Sequence, residues 1–211
     1  MKIYDISLYT SLSQTTYCIQ KEDLVAAAKV MAAAFTDDVS IRYLLGGKTE
    51  GKSDWRYFLC VLKAIYGKCV MFSVDEQINN LLILFPPKLK AVPTLSFMLN
   101  GGIGLYRYFG ASLYLRSLNY ENNCQTVKSR NATPDTWYCM CFVVNPELQG
   151  QGVDSKLIRP ILEIFESNHI PLYLETHKAI NVEIYKHYGF KIVDCNPIPK
   201  TEIVQYSMIK K

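Results

Sequence analysis

An apolar run that ends in a glycine-bearing turn and then an amphipathic helix constrains this chain more than any other stretch of it. The run is Trp137 to Val144, and the turn and helix are Asn145-Pro146-Glu147-Leu148-Gln149-Gly150-Gln151-Gly152-Val153-Asp154-Ser155-Lys156-Leu157. Gly150 and Gly152 let the backbone approach a ligand closely. The first-turn N–H groups of a helix have no intrahelical acceptor, and the macrodipole favours negative charge beside them. The segment is therefore a ready anion site, and a pyrophosphate suits it. The continuous apolar run predicts a strand buried on both faces. Cys139 and Cys141 then share one face as small apolar filling. Val153, Leu157, Ile158, Ile161, Leu162 and Phe165 recur at helical spacing, so this helix lays one face on a sheet, with Pro160 removing one of its hydrogen bonds.

The remaining pattern is that of alternating helices and strands. Residues 1–14 read as an N-terminal arm or edge strand. A short strand at Tyr17-Cys18-Ile19-Gln20 leads to an alanine-rich helix from Leu24 to Phe35, which Thr36-Asp37-Asp38 breaks. A second helix spans Asp54 to Tyr66, and two strands follow at about 68–74 and 80–86. Residues 93–131 carry Gly101, Gly102, Gly104 and Gly110 within an apolar, tyrosine-rich pattern, which predicts one or two short helices forming a lid. Among its tyrosines, Tyr106, Tyr108, Tyr114 and Tyr120 read as lid packing or as lining for an acceptor pocket. Leu172-Tyr173-Leu174-Glu175 is a strand, Ala179 to Tyr188 a helix stopped by Gly189, and two closing strands complete the chain. With 211 residues and no internal linker, the chain reads as a single domain, residues 1–211.

Composition excludes several classes of function. The formal charge of +4 comes from scattered residues, without the basic stripe that nucleic-acid binding requires. Seven cysteines lack C-x-x-C spacing and the three histidines lack ligand spacing, so neither a disulfide framework nor a metal site is expected. No stretch of 18 apolar residues and no apolar leader are present, so we expect a cytoplasmic protein without membrane attachment. Lys156, Lys186 and Lys191 read as solvated, although one of them could meet a ligand phosphate.

The last third gathers groups capable of acid and base chemistry. Asn181, Tyr185 and Tyr188 fall at i, i+4 and i+7, one above the other on one helix face, and the strand ending in Glu175-Thr176 lies just upstream. A carboxylate, an amide and a phenol therefore meet within fifteen residues, a set suited to proton transfer. Val144-x-Pro146-x-x-Gln149-Gly150-x-Gly152 resembles the acyl-coenzyme-binding motif of the GNAT (GCN5-related) N-acetyltransferases, whose pattern is Gln/Arg-x-x-Gly-x-Gly/Ala. Tyr173-Leu174-Glu175-Thr176, Asn181-Val182-x-x-Tyr185 and Tyr188-Gly189-Phe190 are similar to the family's next two motifs in order and spacing, and Ala34-Phe35-Thr36-Asp37-Asp38 to an early segment of its puromycin N-acetyltransferase-like members.

The resemblance implies an α+β GNAT fold: a mixed, mostly antiparallel sheet of about seven strands flanked by helices and splayed between strands 4 and 5. It implies acetyl-CoA as cosubstrate and a small-molecule primary amine as acceptor, joined by direct attack in a ternary complex. By position, Phe142, Val143 and Val144 would offer backbone hydrogen bonds to the pantetheine arm, and Gln149, Gly150, Gln151, Gly152, Asp154 and Ser155 would cradle the pyrophosphate. Asn181 would bind the coenzyme, Tyr185 would protonate the leaving thiolate, Glu175 would act as base, and Asp38 would recognise the amine. The acceptor, an amine-bearing antibiotic, a polyamine, an amino-acid derivative or a protein N-terminus, stays open, as does a homodimer.

Asp154 departs from the pattern, standing where the motif has its last Gly or Ala. At about 5 Å and an effective dielectric of ~20, a carboxylate would repel each phosphate charge by roughly 3 kcal/mol before screening. The alternative reading is therefore a GNAT-fold acyl-CoA-binding or regulatory protein with weak or no turnover.

Overall fold

The computed structural model describes residues 6–14, 16–47 and 54–211. Among them, seven strands form one sheet in the order β1-β2-β3-β4-β5-β7-β6. They are β1 Tyr17–Cys18, β2 Val70–Ser73, β3 Asn80–Phe85, β4 Trp137–Val144, β5 Leu172–Thr176, β6 Lys191–Pro197 and β7 Val204–Lys210. Every neighbouring pair is antiparallel except β4 with β5, which run parallel. The expected α+β fold with its mixed, mostly antiparallel sheet is the one observed.

The helices are α1 Ile6–Ser13, α2 Leu24–Ala34, α3 Val39–Leu45, α4 Trp55–Ile65, α5 Thr94–Phe97, α6 Ile103–Phe109, α7 Ser112–Asn131, α8 Val153–Ser167 and α9 Ala179–His187. On one face of the sheet, α8, α9 and Leu12 of α1 cover Phe72, Leu82, Leu84, Trp137 and Leu174. On the other, α2 and α4 cover Met71, Leu81, Ile83 and Phe85. The α8 helix buries Leu157, Ile158, Ile161, Leu162 and Phe165 and runs unbroken through Pro160. Five buried apolar side chains at roughly 2 kcal/mol each outweigh the ~3 kcal/mol that an interior proline costs. None of the described helices is long and apolar enough to cross a membrane.

Three expectations need correction. Residues 6–13 form a helix, not an arm or edge strand, and residues 1–5 lie outside the described residues. The 93–131 segment is not one or two short helices: α5 and α6 meet at a kink where Gly101 has φ 111°, and α7 then runs for 20 residues. Cys139 and Cys141 do not share a face. The β3–β4 register pairs Ile83 with Cys141 and Leu84 with Cys139, so Met140 is an extra residue on β4. A β-bulge of this kind shifts the alternation by one. Cys139 consequently packs with Trp137 on the α8 side, and Cys141 with Val143 on the α2 and α4 side.

Candidate active site

The parallel pairing of β4 with β5 covers Trp137↔Leu172, Tyr138↔Tyr173 and Cys139↔Leu174, and then stops. Past the bulge, Met140 to Val144 have no β5 partner, so the sheet opens between its fourth and fifth strands, as the family resemblance implies. A cavity of about 290 Å³ lies at this opening. Its lining includes Tyr138 and Phe142 of β4, Glu175 of β5, Asn181 and Tyr185 of α9, and Asp38 at the start of α3. Five candidate residues from four separate elements thus meet around one space. The run 137–144 is not buried on both sides: Tyr138, Met140 and Phe142 are only half-buried and line this cavity, Tyr138 from before the bulge and Phe142 from after it.

Glu175 is held by neutral donors. Tyr173 donates to Oε1 at 2.9 Å and Tyr138 to Oε2 at 3.2 Å, while the Tyr173 oxygen accepts from the Ser207 hydroxyl at 2.9 Å. Burial raises the carboxyl pKa from 4.5 to about 7, and it outweighs the donated hydrogen bonds, which pull the other way. Glu121 of α7 also lines the cavity and accepts from Gln125 Nε2 at 2.8 Å, with burial again raising its pKa. No ion pair with a described residue satisfies either carboxylate. The nearby Lys128 ammonium sits instead over the Tyr138 ring, 4.5 Å from its centroid. A half-buried carboxylate that titrates near neutrality, beside a second one without an ion pair, can accept a proton from a bound cation.

Tyr185 presents its phenol to the same cavity, and no described residue hydrogen-bonds the hydroxyl. Burial pushes its pKa well above the usual phenol value, so it stays protonated and able to donate. Asn181 Nδ2 donates to Thr176 Oγ1 at 3.1 Å, tying the first turn of α9 to the end of β5. Asp38 is first of all a helix cap: its Oδ1 accepts from the N–H groups of Ser40 at 2.9 Å and Ile41 at 3.1 Å and from the Ser40 hydroxyl. Of the lid tyrosines, Tyr106, Tyr114 and Tyr120 line the cavity. Tyr108 does not, and is 62% exposed.

The glycine turn lies beyond the C-terminal end of β4, outside this cavity. Gly150 and Gly152 both have φ of 75°, and a Cβ on either would meet open space. Glycine is required there for the left-handed backbone, not to avoid a clash. Gly152 is the N-cap of α8 and offers no side-chain acceptor, which leaves the first-turn N–H groups unsatisfied by any cap. Gln149 and Gln151 donate backward, to the carbonyls of Val144 at 3.3 Å and Glu147 at 3.0 Å. Val143 and Val144 are buried in the core, leaving only their backbone to serve a ligand.

Tyr188 does not join Asn181 and Tyr185 at the cavity. It is buried against α8, where its hydroxyl donates to Asp154 Oδ2 at 2.6 Å and lies 2.9 Å from Ser155 Oγ. The helix ends at His187, so the i+7 relation does not extend to this residue. The bond fixes the carboxylate of Asp154 toward the end of α9. Sequence reading missed Tyr138 and Tyr173 as partners of Glu175, and Glu121 as a cavity residue. The only signal for Tyr138 was a phenol inside an otherwise apolar run.

Residues 113–190 match the acetyltransferase (GNAT) family. An uncharacterized N-acetyltransferase of Schizosaccharomyces pombe is 35% identical over 89 residues, which are 42% of this chain and 34% of that protein. The match therefore takes in about a third of that relative's length. A Corynebacterium glutamicum structure described as histone acetyltransferase HPA2 and related acetyltransferase is 16% identical, covers 93% of this chain and 94% of its own, and superposes with a TM-score of 0.60. The polyamine N-acetyltransferase of Drosophila melanogaster, 9% identical over 92% of this chain and 98% of its own, also gives 0.60. Arylalkylamine N-acetyltransferase 2 of Aedes aegypti, 11% identical over 92% and 97%, gives 0.58. At these identities the likeness shows a common fold.

Proposed function

From the match of residues 113–190 to the acetyltransferase (GNAT) family, we propose that the chain transfers an acetyl group from acetyl-CoA to the primary amine of a small molecule, by direct attack in a ternary complex. The observation that carries this reading is the convergence of Glu175, with a pKa raised to about 7, and Tyr185, with one raised beyond the phenol range, on one cavity at the β4–β5 opening. One group accepts protons near neutrality and the other holds its proton, which is the division that aminolysis of a thioester needs.

The opening and the uncapped start of α8 suit an extended anionic thioester. Backbone groups of Phe142, Val143 and Val144 would hold the pantetheine arm. The Gln149, Gly150, Gln151, Gly152, Asp154 and Ser155 segment would receive the pyrophosphate on its free N–H groups, and Asn181 would contact the arm from α9. The bound coenzyme supplies the activated acetyl group. Glu175 takes a proton from the acceptor's ammonium, directly or through water, to leave a neutral amine. The neutral amine attacks the thioester carbonyl, the new N–C bond forms as the C–S bond breaks, Tyr185 gives its proton to the departing thiolate, and the proton that the acylated nitrogen sheds restores the phenol. Asp38, whose Oδ1 caps α3, keeps Oδ2 for the acceptor's ammonium.

The test is release of free thiol from acetyl-CoA that depends on a primary amine. Release unaffected by every amine in a broad panel would sink the reading. A binding or regulatory role without turnover is the second reading, and Asp154 is what favours it. Asp154→Asn keeps an acceptor for Tyr188 but removes the charge. Screening and partial solvation reduce the repulsion on a neighbouring phosphate to about 1 kcal/mol, so acetyl-CoA Kd is expected to fall roughly fivefold at low salt. An unchanged Kd in titration calorimetry would mean that the Tyr188 bond already turns the carboxylate away from the phosphates.

A further inference from the structure

The acceptor half of the cavity is divided chemically, and the division specifies what enters. Phe35, Phe58, Tyr57, Phe97, Tyr106 and Tyr114 all line it, and they form an unbroken chain of ring contacts with centroid separations of 5.7, 5.4, 6.1, 6.5 and 6.3 Å in that order. The rings come from the end of α2, from α4, from the kinked α5–α6 segment and from the start of α7. The cavity's carboxylates come from elsewhere: Glu175 from β5, Glu121 from farther along α7, and Asp38 from the cap of α3. Each of the three accepts only from neutral groups, and none is ion-paired among the described residues.

Resting on the acetyltransferase reading above, we propose that the acceptor is an arylalkylamine: a single primary ammonium joined by a short linker to a flat aromatic body. The ammonium sits among the carboxylates, close to the base, and the aromatic body lies against the ring chain. Edge-to-face packing and displacement of water favour such a body there. A polyamine fits less well, since its second ammonium would be desolvated along six rings of which only Tyr57 feels a carboxylate, Glu121. A peptide N-terminus fits poorly as well, because its backbone N–H and C=O groups would be desolvated against the same rings without partners.

The experiment measures amine binding directly, so it does not depend on turnover. With the full chain saturated with coenzyme A, titration calorimetry compares 2-phenylethylamine, 2-phenylethanol, spermidine and an unblocked tripeptide. We expect 2-phenylethylamine to bind at least tenfold more tightly than each of the other three, the alcohol reporting the contribution of charge. In parallel, acetyl transfer from acetyl-CoA is expected to favour 2-phenylethylamine over spermidine at least tenfold in kcat/KM. Tyr106→Leu should weaken 2-phenylethylamine about tenfold and spermidine less than twofold, leaving KM for acetyl-CoA unchanged. Spermidine or tripeptide binding as tightly as the arylalkylamine, no binding of 2-phenylethylamine, or equal losses across acceptors in Tyr106→Leu would overturn the inference. Selective binding of 2-phenylethylamine without acetylation of any amine would instead overturn the acetyltransferase reading, leaving the arylalkylamine as a ligand of this cavity and no longer as an acceptor.

Discussion

Substituting Glu175 with glutamine is expected to lower kcat/KM for the acceptor amine by two to three orders of magnitude, the usual scale of a positioned general base, while making the protein more stable above neutral pH. The two effects share one cause. Burial raises the folded-state pKa from 4.5 to about 7 against the pull of Tyr173 and Tyr138. The folded chain therefore holds the Glu175 proton more tightly than the unfolded chain, so this group's contribution to stability is complete below about pH 4.5 and is lost as pH rises through 7. Above that pH the ionised carboxylate costs up to about 3 kcal/mol, reduced by its partial exposure to roughly 2. Glutamine removes the cost, so Tm at pH 8 should rise by several degrees while Tm at pH 4 stays within about a degree. The wild-type kcat/KM should climb with pH through about 7 and then level off, and the variant should lose that limb. Activity within threefold of wild type, with the limb intact, would move the base elsewhere.

Tyr185→Phe is expected to lower kcat about a hundredfold and to leave acetyl-CoA Kd within twofold. The hydroxyl makes no hydrogen bond with a described residue, so its loss breaks no structural contact, and the ring keeps its edge packing on Phe190 at 5.9 Å. A uniform binding role would raise KM with kcat preserved, whereas a proton delivered only as the C–S bond breaks appears in kcat. Because burial holds the Tyr185 pKa far above the phenol range, no descending limb from this residue should appear in the wild-type profile up to pH 9. Full activity in the variant would remove its assignment as the acid. A poorer thiolate leaving group should lose more in Tyr185→Phe than a better one, since the better one needs less protonation.

What was readable in the sequence was local. Gly150 and Gly152 each require a left-handed backbone, α8 repeats its apolar residues at helical spacing, and Glu175, Asn181 and Tyr185 lie within eleven residues, so neighbouring chain alone fixes the turn, the helix and the site's core. The rest depends on partners distant in sequence. The extra residue at Met140 exists only relative to β3, and nothing in Trp137–Val144 announces it, although it decides which core each of Cys139 and Cys141 enters. The α7 helix buries few apolar side chains, chiefly Leu113, Cys124 and Val127, so its periodicity was faint and the glycines before it dominated the reading. From the motif alone, Asp154 is a charge facing phosphates. Its hydrogen bond comes from Tyr188, 34 residues later, after the chain has passed through β5 and α9. Tyr138 reaches Glu175 across 37 residues, through a strand pairing that sequence periodicity cannot specify.

The most direct test of the central claim is titration of the protein with acetyl-CoA, because every assigned role presupposes that the β4–β5 opening and the start of α8 receive this ligand. The account predicts one site per chain with Kd in the micromolar range, weakened by salt as expected for phosphates held by backbone N–H groups and a helix dipole. Absence of binding at millimolar acetyl-CoA would contradict it.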